Sequence, residues 1–240
     1  MSDQESSKGE SRMNDGPGKD NRFSALLVDF DTDGLDHDSA TIYGLWPDLT
    51  LAYVNLKWFE FARLNGGEPG VTEVWAPGRC VLDAIAASLR PFFTRGFQRS
   101  LDESKPWEHL YECSSADEFR EFHMTTFPLG QAEGLLVVNS LRRATAHTRV
   151  PCAALEELYL NEDGIVTQCS HCRRVRRVQE KQVWDWVPQW VSAPLANLSH
   201  GLCEPCFGFH YSEQRENSGG FAESFRTYST LNQQPAHRPS

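Results

Sequence analysis

No apolar run in the 240 residues approaches the ~20 needed for a membrane-spanning helix; strongly apolar stretches such as Leu135–Val138 stop far short. The opening stretch, Met1–Asp20, is polar and lacks the apolar core of a signal peptide. These two absences predict a cytoplasmic protein without a membrane partner. Positive charge is also short: the formal net charge is −10 at pH 7. That balance argues against general adhesion to nucleic acid or anionic lipid. A Walker loop, a Gly-x-Ser-x-Gly elbow and a kinase signature are all missing, and no internal repeat is visible. The expectation is a protein that is not an enzyme. A reducing compartment disfavours structural disulfides, so the seven cysteines need another explanation.

What is present suffices for a real core, with 40% hydrophobic and 11% aromatic residues. Residues 1–22 and 212–240 are polar and are expected to be disordered. The first folded block is expected over 40–143. Thr41–Trp46 reads as a strand and Trp46-Pro47-Asp48 as a turn. Leu49, Leu51 and Tyr53 mark a second strand. Asn55 is placed to cap a helix whose apolar stripe is Trp58, Phe61, Ala62 and Leu64, with Asn65-Gly66-Gly67 as its stop. Val81, Ile85, Leu89, Phe93 and Phe97 recur every fourth residue, a helical face that Pro91 is expected to kink or divide. Three strand-like runs follow: one placing Trp107, His109, Tyr111 and Cys113 on one face, then Phe119–Phe127, then Gly134–Leu141. Two strands, helices and three strands predict an α+β fold, a five-stranded antiparallel sheet with helices on one face.

Tyr43-Gly44-Leu45-Trp46-Pro47-Asp48, followed by Tyr53-Val54-Asn55 and a short helix, resembles the opening of a PAS domain. In that family a strand pair leads into an asparagine and short helices, and a three-stranded meander closes the domain. The resemblance spans 40–143 and implies a PAS-like sensor that receives a small molecule or a protein partner, or that dimerises. Trp46, Asn55, His109, Tyr111 and Cys113 are the candidate ligand-binding residues. Residues 144–158, with Arg142, Arg143, Arg149 and Pro151 around a helix-like Ala153–Leu160, read as the connector that often follows such domains. No ATP domain or cyclic-dinucleotide synthase follows it, and the chain has no room for one.

The second block, 159–211, carries Cys169-Ser170-His171-Cys172 and Ser199-His200-Gly201-Leu202-Cys203-Glu204-Pro205-Cys206. Two thiolates separated by two residues can reach one metal from a tight turn. Two such pairs complete the tetrahedral thiolate site that zinc prefers, with no position left open for catalysis. A structural Zn(2+) on Cys169, Cys172, Cys203 and Cys206 is therefore expected, stapling a small module. His200, three residues before Cys203, is expected either to hydrogen-bond around the site or to replace a ligand; His171 is expected to point to solvent. Trp184, Trp186 and Trp190 with Val183, Val187 and Val191 suggest a small core beside the metal. The whole pattern resembles a cysteine module attached to bacterial PAS-containing sensors and regulators.

Arg173, Arg174, Arg176 and Arg177 form a basic run. It is read as a solvated face offsetting the charged thiolate centre, with contact to nucleic acid as the alternative. A second alternative is a thiol-redox sensor that releases zinc on oxidation. Asp29, Asp31, Asp33 and Gly34 match the first half of a calcium-binding loop, but Ala40 stands where the bidentate Glu belongs, so Asp29–Asp38 reads as an acidic linker. Cys113 is read as a buried strand cysteine, with a reactive thiol or a ligand-pocket residue as the alternative; His109 and His123 are read as structural strand residues that could also touch a ligand or a cofactor such as haem. The expected function is a non-enzymatic cytoplasmic signal sensor or adaptor.

Overall fold

The computed structural model describes residues 19–211. The two expected tails lie outside these residues, apart from Lys19–Arg22. The described chain opens with a 3-10 turn (Phe23–Leu27) and a short helix, α1 (Thr32–Asp36). Strands β1 (Thr41–Leu45) and β2 (Leu51–Val54) lead to α2 (Leu56–Leu64), α3 (Gly70–Val74), a second 3-10 turn (Val81–Ala84) and α4 (Arg90–Glu103). A meander of β3 (Trp107–Glu112), β4 (Glu118–Leu129) and β5 (Gly134–Ala146) follows. The five strands pair antiparallel in the order β2-β1-β5-β4-β3, the PAS-like α+β arrangement expected from the sequence.

Local chemistry sets each junction. In the β1–β2 turn, Asp48 Oδ1 accepts from the Thr50 N–H (3.0 Å) and hydroxyl (2.6 Å), the side-chain-to-backbone bonding that makes Asp a turn residue. Pro91 sits in the first turn of α4, where its missing N–H costs no hydrogen bond. The apolar face over 81–97 is therefore divided between a 3-10 turn and a helix. Gly96 lies flat against Trp107, whose ring a Cβ there would overlap. Leu64 falls off the predicted stripe and is exposed at the end of α2.

One side of the sheet packs Tyr43, Leu45, Leu51, Trp107, Met124, Leu135 and Val137 against Phe97 and Leu101 of α4, with Trp58 and Phe93 at the margin. The other side is covered as well, by residues that precede the expected block over 40–143. Phe23 and Leu27 are fully buried there on Ile42, Ala52, Tyr53 and Leu136. The acidic stretch is not a free linker: Asp31 caps α1, Asp36 accepts from the Tyr53 hydroxyl (2.6 Å) and Asp38 from the Ala40 N–H (2.7 Å).

The C-terminal unit contains α5 (Glu156–Tyr159), β6 (Val166–Cys169), β7 (Val175–Arg176), β8 (Trp184–Asp185), α6 (Gln189–Ser192), β9 (Leu198–Gly201) and α7 (Glu204–Tyr211). Its strands lie in the order β8-β7-β6-β9, with β6 and β9 parallel. Trp190 joins Tyr159, Val166, Val175 and Val187 in a small core, and Trp184 packs against the cysteines. The expected helix over Ala153–Leu160 shrinks to the single turn α5, because Pro151 bridges to Trp186 and the Cys152 N–H is taken by the Trp186 carbonyl (2.8 Å). Among the described residues no helix is long and apolar enough to cross a membrane.

Candidate metal centre

The first cysteine pair closes a turn at the end of β6. The Arg173 N–H bonds the Cys169 carbonyl (3.1 Å), and Arg173 leaves the turn in the left-handed region at φ 62°. The Ser170 N–H bonds the Gly201 carbonyl (2.8 Å) and ties this turn to β9. The second pair straddles the start of α7, with Cys203 just before it and Cys206 in its first turn. A helix N-terminus presents N–H groups and a positive dipole end, which favour thiolate.

All four cysteines are buried, and their sulfurs lie within 4.8 Å of one another. A tetrahedron built on a metal–sulfur bond of about 2.3 Å has edges of about 3.8 Å. The Cys169–Cys203 and Cys172–Cys203 sulfur distances are 3.8 and 3.7 Å, and Cys203–Cys206 is tighter at 3.2 Å. The residues therefore fit a single four-coordinate cation. Burial alone would raise all four thiols. Hydrogen bonds from the neighbouring sulfurs outweigh it at Cys169, holding that thiol well below the usual range, and the Cys203 N–H also points at its sulfur (3.5 Å). Sharing protons with those neighbours pushes Cys203 up, and burial does the same for Cys206.

The two histidines of the motifs exchange their expected places. His200 is exposed on β9, and the ligand cluster consists of the four cysteines without it. His171 is buried, because the first turn packs onto the edge strand β3 instead of facing water. Its Nε2 accepts the Glu112 backbone N–H at 3.2 Å. An amide can only donate, so Nδ1 of the neutral His171 carries the proton and donates to His210 Nε2. Burial pulls the His171 pKa from 6.5 down to about 4, keeping the ring neutral.

Glu112 is the meeting point of the two units. Both carboxylate oxygens accept from Arg149 Nη2 (2.8 and 2.7 Å), and Oε1 also accepts from the Ser114 hydroxyl (2.6 Å). The Arg149 and Glu112 side chains are 1% and 0% exposed, so this ion pair is fully desolvated. Arg149 Nη1 donates in addition to the Cys172 carbonyl (3.0 Å), and the guanidinium lies 4.8 Å from the Trp186 ring centre. Within the expected connector, 144–158, Arg149 contacts both units. Leu110 packs among the four cysteines. On the other side of β3, His109 contacts Phe209 and His210 of α7, with ring centres 5.5 and 5.2 Å away. Tyr211 donates to the Ser88 carbonyl (2.6 Å), and the Ser88 and Ser170 hydroxyls bond each other (2.8 Å).

The predicted ligand residues do not converge. His109 and Tyr111 stack along β3 on the helix side of the sheet (6.5 Å), and Tyr111 donates to Asn139 (3.0 Å). Trp46 lies on the opposite side, edge-on to Phe23 at 5.2 Å. Asn55 accepts from the Ile42 and Trp58 N–H groups and donates to the Ala40 and Leu35 carbonyls, so its amide is used entirely within the protein. Cys113 follows the end of β3, and burial raises its thiol. A groove of about 570 Å³ opens between α4 and α7, lined by Phe92, Arg95, Arg99, Trp107, His210 and Tyr211. The arginine run is not one solvated face. Arg177 pairs with Asp185 (2.6 Å) and Glu180 (2.7 Å), and Arg176 lies over the Trp184 ring.

Glu112 and His210 carry no signal in the sequence, Arg149 is visible there only as a connector residue, and His171 lies inside the protein instead of in solvent. His171 carried the one available signal, a polar ring inside a metal-binding turn; no local pattern distinguishes Glu112 from the other strand carboxylates.

No protein-family model and no curated protein matches the chain. Among solved structures, it is similar to a domain of an HTR-like protein from Haloarcula marismortui (12% identity, 44% of this chain and 100% of that one, TM-score 0.33). It is also similar to a PAS domain of an HTR-like protein from the same organism (22%, 50% and 97%, TM-score 0.30) and to an RNA-binding light-oxygen-voltage receptor (20%, 52% and 37%, TM-score 0.33). Likenesses this distant carry no functional argument. What the chain itself displays is a PAS-like α+β sheet whose edge strand is joined to a buried cluster of four cysteines.

Proposed function

We propose that the chain is a non-enzymatic cytoplasmic sensor or adaptor in which a structural zinc ion holds the C-terminal module against a PAS-like domain. The observation that carries this reading is the double role of β3. One side of it, Trp107, His109 and Tyr111, belongs to the helix-side core where a small molecule would be sensed; Leu110 and Glu112 contact the cysteine module. Zinc suits the four-sulfur set and the near-tetrahedral spacing, and it would cross-link the module, a contribution of roughly 10–16 kcal/mol to its folding. The output of such a device is a protein partner or a second copy of the chain.

Two competing readings lose support. With Arg176 and Arg177 already engaged, the basic run is a poor phosphate-binding face. The four sulfurs are buried, which disfavours direct attack by a peroxide-type oxidant. Absorption and native mass spectra of the purified chain test the sensing role: a retained or bindable small molecule supports it. A chain that carries none and binds none in a screen contradicts it.

A further inference from the structure

We infer that metal occupancy of the cysteine cluster and the order of the β3 edge are coupled through Glu112, so that the sheet reads the state of the metal site and the metal site reads the sheet. The inference rests on the cluster holding a metal, as proposed above. Two parts of the chain seize Glu112 at once. The first cysteine turn caps its backbone N–H through His171, and the segment after β5 neutralises its carboxylate through Arg149. Arg149 reaches back to the carbonyl of Cys172, so both contacts depend on where the Cys169–Cys172 turn sits.

A shared cation would anchor that turn to Cys203, 34 residues further along the chain from Cys169. With the cation removed, the four crowded sulfurs lose the positive charge that holds them around one point, and the turn is free to separate from α7. His171 and the Cys172 carbonyl then leave together, and the Glu112 amide loses the ring that caps it at the sheet edge. The reverse holds by thermodynamic linkage: whatever displaces Trp107, His109 or Tyr111 on the same strand shifts metal affinity by the same factor. His109 adds a second path, because its ring touches Phe209 and His210 of α7, the helix that carries Cys206.

Hydrogen exchange of the full chain, with zinc content followed by native mass spectrometry, tests this. Chelation should speed exchange in Trp107–Glu112 by about tenfold or more, while Leu135–Val138 at the sheet centre stays protected. Arg149→Met, which leaves every cysteine in place, should loosen the same edge and weaken zinc binding within the ~5–150-fold range of such couplings. If that variant fails to fold, His171→Ala, which uncaps the Glu112 N–H, takes its place. A chain that loses zinc with Trp107–Glu112 unchanged refutes the coupling alone. Equal acceleration at Leu135–Val138 also refutes it, since the whole sheet then opens as one unit. A chain that takes up no zinc refutes the metal reading, and the inference falls with it.

Discussion

Replacing Arg149 by Met should destabilise the protein by about 3–5 kcal/mol, the cost of leaving a buried charge without its partner. The structure places this pair at the severe end. Neither side chain is more than 1% exposed, and both carboxylate oxygens lie within 2.8 Å of one guanidinium nitrogen. In Arg149→Met the Glu112 carboxylate loses the guanidinium that holds both its oxygens, and the Ser114 hydroxyl is a neutral donor that does not replace that charge. The Cys172 carbonyl loses a donor too, a further ~1–3 kcal/mol that overlaps with the first cost because the groups form one network. Glu112→Gln combined with Arg149→Met removes the stranded charge and should recover much of the loss. Urea unfolding of the zinc-loaded chain, followed by tryptophan fluorescence, measures both; Trp186 lies against Arg149 and is a natural reporter. A loss below about 1 kcal/mol for Arg149→Met, the value of a solvated surface pair, would mean that the Arg149–Glu112 pair is not desolvated. So would a double variant no more stable than Arg149→Met.

Stability should also fall with acid in a defined window. The unfolded His171 takes a proton near 6.5 and the folded one only near about 4, so between these values the unfolded state binds more protons. The contribution is complete above 6.5, declines as the pH falls, and is lost by about pH 4, amounting to about 3 kcal/mol. His171→Gln, which keeps an acceptor for the Glu112 N–H but does not titrate, should flatten that part of the stability–pH curve at equal metal load; an unchanged slope contradicts the assignment. Gly96→Ala should cost about 1–3 kcal/mol in thermal or urea unfolding, because the added carbon must displace the Trp107 ring. Gly44→Ala should be comparably costly because it meets the Phe23 ring, and Phe23→Ala in the same chain should relieve that overlap. Additive losses would mean that Phe23 does not lie on β1.

The strands of the five-stranded sheet and the start of α2 are legible because their signals are local. Asp48 builds its turn, Asn55 caps α2, and alternation along Trp107–Glu112 marks a strand. The cysteine cluster was legible because its ligand spacing is a chemical constraint carried by the chain itself. What lies between the two was not. Arg149 and Glu112 are 37 residues apart, and Glu112 and His171 are 59 apart. Nothing in the neighbourhood of any of them announces the partner. The same holds for Phe23, whose ring finds Gly44 only after the sheet exists. His171 and His200 show the limit most clearly. Each lies within three residues of a cysteine, and only the packing of the first turn on the open edge of β3 decides which is buried.

In the proposed device four cysteines hold one zinc ion and thereby fix the module to the sheet. Native mass spectrometry of the full chain after chelator-free purification, joined to elemental analysis, tests it most directly. One zinc per chain is expected, lost on Cys203→Ser or Cys206→Ser. A clear shortfall from one zinc, or full zinc binding retained when these cysteines are replaced, would contradict it.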